Sequence, residues 1–266
     1  MRYAAPDLDT VSLPGRFLWG ARYALYGARI VVTHPSLWWT VIVPVFLTLM
    51  MFVLGFWSIG VLLPWLTTFV WVPGPHHAKW VWIAYEIVLW TFRLSVAVAL
   101  GVLLYFTAGL VATPFNDRLS ERVERVVLGW RGDSVSVGQM LLDIWWSLVH
   151  SLLSLAAYLF VLFVAFLLNL LPGIGSVASF LLGTFASGLF FTREAMDGSF
   201  SRRRMSYAYK WRIVLRHWPM ALGFGLCVSL AMWVPFFNFL VLPMSVAGGT
   251  LMYCHLEAGG QLPRES

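Results

Sequence analysis

The chain has 266 residues, of which 60% are hydrophobic and 11% are charged, and its formal net charge is +6. Uncharged apolar runs longer than about 18 residues recur along it, which indicates an integral membrane protein and argues against a soluble fold. In such a protein an excess of basic residues is typical of cytoplasmic loops that face anionic lipid, so no nucleic-acid partner is predicted.

The first predicted element is an amphipathic helix over residues 12–32. Arg22 and Arg29 share one face of this helix, and aromatic residues such as Trp19 and Tyr23 surround the rest. The pattern is typical of a helix that lies in the membrane interface. A cytoplasmic helix packed on the rest of the protein is the alternative.

Two long transmembrane helices are predicted, over residues 36–63 and 80–113. Pro35 suits the first turn of the first helix, where no amide hydrogen is needed. The next backbone amides would then be free at the positive end of the helix dipole, and such an end can hold an anion without a basic side chain. The predicted anion-binding residues are Ser36, Leu37 and Trp38.

Two charged residues, Glu86 and Arg93, lie within the apolar run of the second transmembrane helix and share one face of it. A lone charge in the bilayer costs a few kcal/mol or more, so both are expected to face protein or water. They form either an ion pair that locks a helix interface or the polar lining of a pathway. Arg93 is the better pathway candidate because it lies deeper.

The second transmembrane helix is predicted to break at residues 114–116, with Asp117 capping an amphipathic helix over residues 117–128. An apolar stripe runs along that helix, and Glu124 is placed with the other charged residues on the remaining faces. These faces are either a solvated surface or a vestibule at a pore mouth. The vestibule candidates are Asn116, Arg118, Glu121, Arg122 and Arg125.

Two helical hairpins are predicted over residues 140–192 and 212–256, each with an uncharged turn at its tip. Their arms are slightly shorter than a full crossing, which favours hairpins that end inside the membrane over complete spans. Every fourth residue from Gly175 to Ser187 is small, so a neighbouring helix is expected to approach closely there. We interpret residues 1–266 as one all-α membrane domain.

Basic residues are distributed unevenly along the chain. All lysines and arginines other than Lys79 and Arg93 fall in the N-terminal part, in residues 118–131, in residues 193–216 or at the C-terminus. This bias predicts that both termini are cytoplasmic.

Four stretches of the chain, at residues 34–44, 113–124, 202–225 and 235–249, carry sequence motifs that follow one another in a characteristic order and spacing. In these stretches the sequence resembles the CysZ sulfate permease family, the bacterial branch of the etoposide-induced-protein family. The resemblance implies two long transmembrane helices with two partly penetrating hairpins, assembled as a homo-oligomer in the bacterial inner membrane. It also implies a permease or channel for sulfate, or a similar small anion, that supplies cysteine synthesis.

The same resemblance bears on the anion site. The family associates a Gly-Leu-Arg sequence at the start of its first membrane helix with sulfate binding, and Ser36, Leu37 and Trp38 occupy the matching positions here. The glycine and the arginine are therefore absent. The basic residues Arg118, Arg122 and Arg125 are expected to take over the attraction of an anion.

A non-transporting membrane scaffold or assembly factor of the same fold is the alternative function, favoured by the missing arginine and the small-residue stripes. An enzyme is not predicted, because no Ser/His or paired-carboxylate spacing stands out within an apolar segment. No metal or other cofactor is predicted, and Cys227 and Cys254 show no disulfide or metal-ligand spacing.

Overall fold

The computed structural model describes residues 10–67, 72–74, 78–129, 137–234 and 237–263, and in these ranges all regular structure is helical. This confirms the predicted all-α class. The helices in chain order are α1 (Leu13–Thr33), α2 (Trp38–Thr67), α3 (Lys79–Leu128), α4 (Val137–Asn169), α5 (Gly175–Arg202), α6 (Tyr207–Arg216), α7 (Trp218–Met232) and α8 (Asn238–Ala258), with a 3₁₀ turn at Pro35–Leu37 before α2.

Several of these helices can cross a membrane. Among the described residues, 5 stretches are long and apolar enough: Pro35–Thr67, Lys79–Leu128, Leu152–Asn169, Gly175–Arg202 and Asn238–Ala258. Large apolar side chains stand exposed along α2 and α3, for example Trp57 at 69% and Trp90 at 64%. Apolar surface on this scale needs lipid rather than water around it, so the chain is a multi-pass membrane protein.

Residue contacts divide the chain into two compact units, Met1–Val41 with Asn116–Ser266, and Ile42–Phe115. The first unit holds a buried core built around α1, α5, α7 and α8, which includes Tyr23, Phe200, Phe224, Leu251 and Tyr253. The second unit holds most of α2 and the first part of α3. The single membrane domain expected over residues 1–266 stays a prediction.

Helix α1 lies where the sequence predicts a helix over residues 12–32, and the amphipathic, interfacial character of that helix stays a prediction. Its buried side packs on α7 and α8 at glycines. A Cβ atom on Gly20 would collide with the carbonyl of Met220, and one on Gly27 would collide with the backbone of Gly248. On the outer side Leu18 and Leu25 are exposed, so α1 presents apolar side chains outward as well as inward.

The predicted break at residues 114–116 is wrong, because α3 runs without interruption from Lys79 to Leu128 with Pro114 inside it. A proline removes one amide donor from the helix. Breaking the helix near hydrocarbon would expose several more backbone groups at a cost of several kcal/mol each, so the continuous helix is favoured. Asp117 is therefore an interior residue of α3 and does not cap a new helix.

The first hairpin turns where the sequence predicts it, between Asn169 and Gly175, and Gly173 adopts a positive φ of 87° there. Its helices are longer than predicted, with 33 residues in α4 and 28 in α5. The small-residue stripe is only partly used: the Ser187 hydroxyl lies 2.9 Å from that of Tyr158, but Gly183 has no neighbour within 4 Å of its Cβ position.

The second hairpin starts at a bend rather than at residue 212. Helices α6 and α7 meet at 93°, and Pro219 lies in the first turn of α7. Ser206 caps α6 by accepting a hydrogen bond from the amide of Tyr209 at 3.3 Å. Helix α7 has 15 residues and α8 has 21. Most residues of α8 are buried, and α8 packs against α1, α5 and α7. Residues 235–236, at the predicted tip, lie outside the described residues.

Candidate functional site

The start of α2 differs from the expected row of free amides. In the 3₁₀ turn the Leu37 amide donates to the carbonyl of His34 at 2.9 Å, and the Trp38 amide donates to the carbonyl of Pro35. The Leu37 side chain is buried. Of the three predicted amides, only that of Ser36 forms no backbone hydrogen bond with a described residue. The backbone therefore offers an anion one donor here instead of three.

A basic side chain from α3 reaches this turn. Arg122 Nη1 donates a hydrogen bond of 2.6 Å to the carbonyl oxygen of Ser36. Both residues are exposed, and a guanidinium carries five N–H donors, so the contact leaves most of its donors facing solvent. A positive charge therefore stands beside Ser36 although Trp38 occupies the position of the family's arginine.

The turn itself is held in place by its neighbours. The indole Nε1 of Trp38 donates to the carbonyl of Val31 at 3.1 Å, and the Thr40 hydroxyl donates to the carbonyl of Leu37 at 2.6 Å. The Trp38 bond ties the last turn of α1 to the first turn of α2, and the Thr40 bond ties the 3₁₀ turn to α2. The backbone that carries Ser36 is thus held in place, which is what a binding site requires.

The other predicted vestibule residues lie on the exposed side of the same part of α3. Arg125 pairs with Glu121 one turn away at 2.7 Å, Arg118 is exposed, and Asn116 is half-buried. Exposed pairs of this kind contribute about 0.3–0.5 kcal/mol and move freely. Arg118 and Arg125 lie one helical turn before and after Arg122 and so share its exposed face, whereas Asn116 and Glu121 lie to the side of it.

Sequence reasoning missed the buried side of this helix segment, where Glu124 is fully buried. Its carboxylate accepts from Arg202 Nη2 at 2.8 Å and from Arg203 Nη1 at 3.1 Å. Arg203 also forms a two-bonded pair with Glu257, at 2.9 and 2.7 Å. Two arginines and two glutamates compensate each other's charge in this network.

Hydroxyl groups complete the network. The Ser120 hydroxyl accepts from Arg202 at 2.6 Å and lies 2.7 Å from that of Thr250. Burial by itself lowers the pKa of Arg203, but Tyr253, Glu124 and Glu257 around it outweigh burial and raise that pKa above its ordinary value. Arg203 is therefore a permanent cation. One signal was visible in the sequence: Glu124 follows Ser120 by one helical turn, next to the apolar stripe.

The charged residues predicted within the second transmembrane helix do not form an ion pair with each other in the described structure. Glu86 is exposed, and Arg93 is half-buried with its guanidinium 5.3 Å from the ring centre of Trp90. A cation over an indole ring is stabilised by the ring's quadrupole. The interface-locking interpretation has no support, and the pathway role of both residues stays a prediction.

The fold and these clusters define a class, a multi-pass α-helical membrane protein whose charged side chains converge on the last turns of α3. Within the described residues no group of His, Cys, Asp and Glu side chains has the arrangement of a metal site. The chain belongs to the sulfate transporter CysZ/etoposide-induced protein 2.4 family, whose model matches residues 23–243.

Two relatives carry names that agree with this assignment. The chain is 26% identical over 255 residues to a sulfate transporter CysZ of Pectobacterium atrosepticum, covering 93% of this chain and 89% of the relative. It is 27% identical over 241 residues to a sulfate transporter CysZ of Salmonella typhimurium, covering 88% of this chain and 91% of the relative.

Proposed function

We propose that this protein transports sulfate across the bacterial inner membrane for cysteine synthesis, and that the anion is captured between Ser36 and Arg122. The contact of 2.6 Å between Arg122 Nη1 and the Ser36 carbonyl carries the proposal. It supplies a guanidinium at the place where the sequence lacks the family's arginine. Guanidinium groups bind oxyanions through paired hydrogen bonds.

Capture works by exchange of partners. Arg122 swings from the Ser36 carbonyl to the arriving sulfate, and the free amide of Ser36 adds a second donor at the positive end of α2. Arg118 and Arg125 on the same exposed face of α3 raise the local anion concentration. Both termini face the cytoplasm in this proposal, and the protein works as a homo-oligomer.

Sulfate flux into proteoliposomes tests the proposal. The wild-type chain should accumulate radiolabelled sulfate well above empty vesicles, and Arg122→Ala should reduce uptake at low sulfate about tenfold, because one charge-assisted pair is lost. Arg29→Ala removes an exposed arginine of α1 and should leave uptake unchanged. Uptake no greater than that of empty vesicles would reject transport and favour the scaffold function.

Channel and carrier mechanisms differ in their response to substrate. A carrier saturates with sulfate and shows counterflow of labelled sulfate against unlabelled sulfate, whereas a channel passes current that increases with the gradient. We favour a carrier-like permease, because Arg122 has to exchange partners each time an anion binds. Absence of counterflow in vesicles that do conduct sulfate would identify a channel instead.

A further inference from the structure

We propose that Arg193 and Lys210 form an internal binding site for a small oxyanion of the sulfate type, in which the anion competes with the carboxylate of Asp197. This site lies between α5 and α6 and shares no residue with the Ser36–Arg122 site. It deepens the proposed function, on which it rests for the identity of the anion.

Both cations of this site are buried. The Arg193 and Lys210 side chains are each 1% exposed, and both point at the same oxygen of Asp197. Lys210 Nζ lies 2.9 Å from Asp197 Oδ1, and Arg193 Nη2 lies 3.5 Å from that oxygen. Asp197 is therefore shared between two buried positive charges, and it lies closer to the lysine than to the arginine.

Arg193 is left without adequate acceptors. Its Nε is buried and has no hydrogen-bond partner among the described residues. Its remaining bond goes to Glu194 at a long 3.4 Å, and the Glu194 side chain is 64% exposed, so it does not enclose the guanidinium. A buried guanidinium with unused donors is costly. The structure thus holds an acceptor deficit that an anion can fill.

The donors around Arg193 suit an oxyanion better than a halide. Ser201 already donates to Asp197 at 3.1 Å and lies 3.3 Å from Lys210 Nζ. The ring of Tyr207 covers the guanidinium at 5.5 Å. An oxyanion has several acceptor oxygens and so can accept from guanidinium, ammonium and hydroxyl at once, in place of the two oxygens of Asp197.

Because Asp197 competes with the anion, a substitution of Asp197 should increase the affinity for sulfate rather than decrease it. Asp197→Asn keeps the size of the side chain and removes the competing negative charge, so it should bind sulfate about tenfold more tightly. Lys210→Met removes one of the two cations and should bind about tenfold less tightly. Arg216→Met alters an exposed arginine on the same helix as Lys210 and should match the parent.

The measurement is equilibrium binding of radiolabelled sulfate to the detergent-solubilised full chain, in an Arg122→Ala background that weakens the Ser36–Arg122 site. Size-exclusion profiles establish that each variant is folded. If Lys210→Met does not fold, Lys210→Arg, which keeps the charge, takes its place and should bind sulfate like the parent. The internal site is rejected if Asp197→Asn binds sulfate no more tightly than its parent. That result is expected if only water hydrogen-bonds to the free donors of Arg193.

Binding and flux separate the two proposals. Sulfate flux by the wild type together with an unchanged affinity in Asp197→Asn would reject the internal site and keep transport. Tighter binding in Asp197→Asn together with no flux by the wild type would keep the internal site and reject transport.

Discussion

At the scale of single residues, Glu121 and Glu124 lie close together on α3 and differ sharply in burial. Glu124 is fully buried between Arg202 and Arg203, whereas the Glu121 side chain is 35% exposed beside Arg125. Removing one partner of a buried ion pair leaves an uncompensated charge and costs about 3–5 kcal/mol. We expect Glu124→Gln to lower the Tm of the detergent-solubilised protein by roughly 10 °C.

The same helix supplies the control for that substitution. Glu121→Gln breaks an exposed pair and should shift the Tm by about 1 °C or less. Thermal unfolding followed by tryptophan fluorescence measures both variants. Equal shifts for the two would mean that Glu124 is solvated, contrary to the structure.

The exposed arginines of the candidate site could be predicted from the sequence, but the buried ion pairs beside them could not. The arginines of α3 were predictable, because repeated basic residues after an apolar run indicate a cytoplasmic face. The burial of Glu124 was not, because it depends on Arg202, Arg203 and Glu257 arriving from distant parts of the chain. The donor contact of Arg122 with Ser36 likewise joins residues far apart in sequence.

At the scale of helices, α5 and α7 touch through glycine. A Cβ atom on Gly225 would collide with the backbone carbonyl of Gly188, which is a rigid neighbour. We expect Gly225→Ala to destabilise the protein by about 3 kcal/mol or more, since backbone cannot yield as a side chain can. Loss of thermal stability or of monodisperse protein in size-exclusion chromatography would show this.

A glycine of α5 provides the matched comparison. Gly183 has nothing within 4 Å of its Cβ position, so Gly183→Ala should be neutral or stabilise by about 0.5–1 kcal/mol through its higher helix propensity. If Gly183→Ala destabilised as much as Gly225→Ala, the close contact between helices would be at Gly183, as the small-residue stripe alone suggested.

Helix type and the approximate positions of α2 and of the first hairpin were predictable from the length of the apolar runs, but the ends of the helices were not, since α4 and α5 extend beyond residues 140–192. Two errors have a physical origin. A proline such as Pro114 usually ends a helix in water. In a membrane segment, the loss of one amide donor costs less than the several unpaired backbone groups that a broken helix would expose. The amides of Leu37 and Trp38 were expected to be free, but a 3₁₀ turn begins the helix and uses them.

At the scale of the whole molecule, the penetration of the second hairpin can be decided by labelling. Helix α7 has 15 residues, about 22 Å at about 1.5 Å per residue, which is short of a hydrocarbon core of about 30 Å. The 93° bend prevents α6 from extending it along the same axis.

We therefore expect a cysteine at Phe237, in a chain with Cys227 and Cys254 replaced by alanine, to resist an impermeant maleimide added outside intact cells. Ala78→Cys, exposed beside Lys79, should label readily because the charge bias predicts that this loop lies outside. Equal labelling at the two positions would mean that the second hairpin crosses the membrane completely.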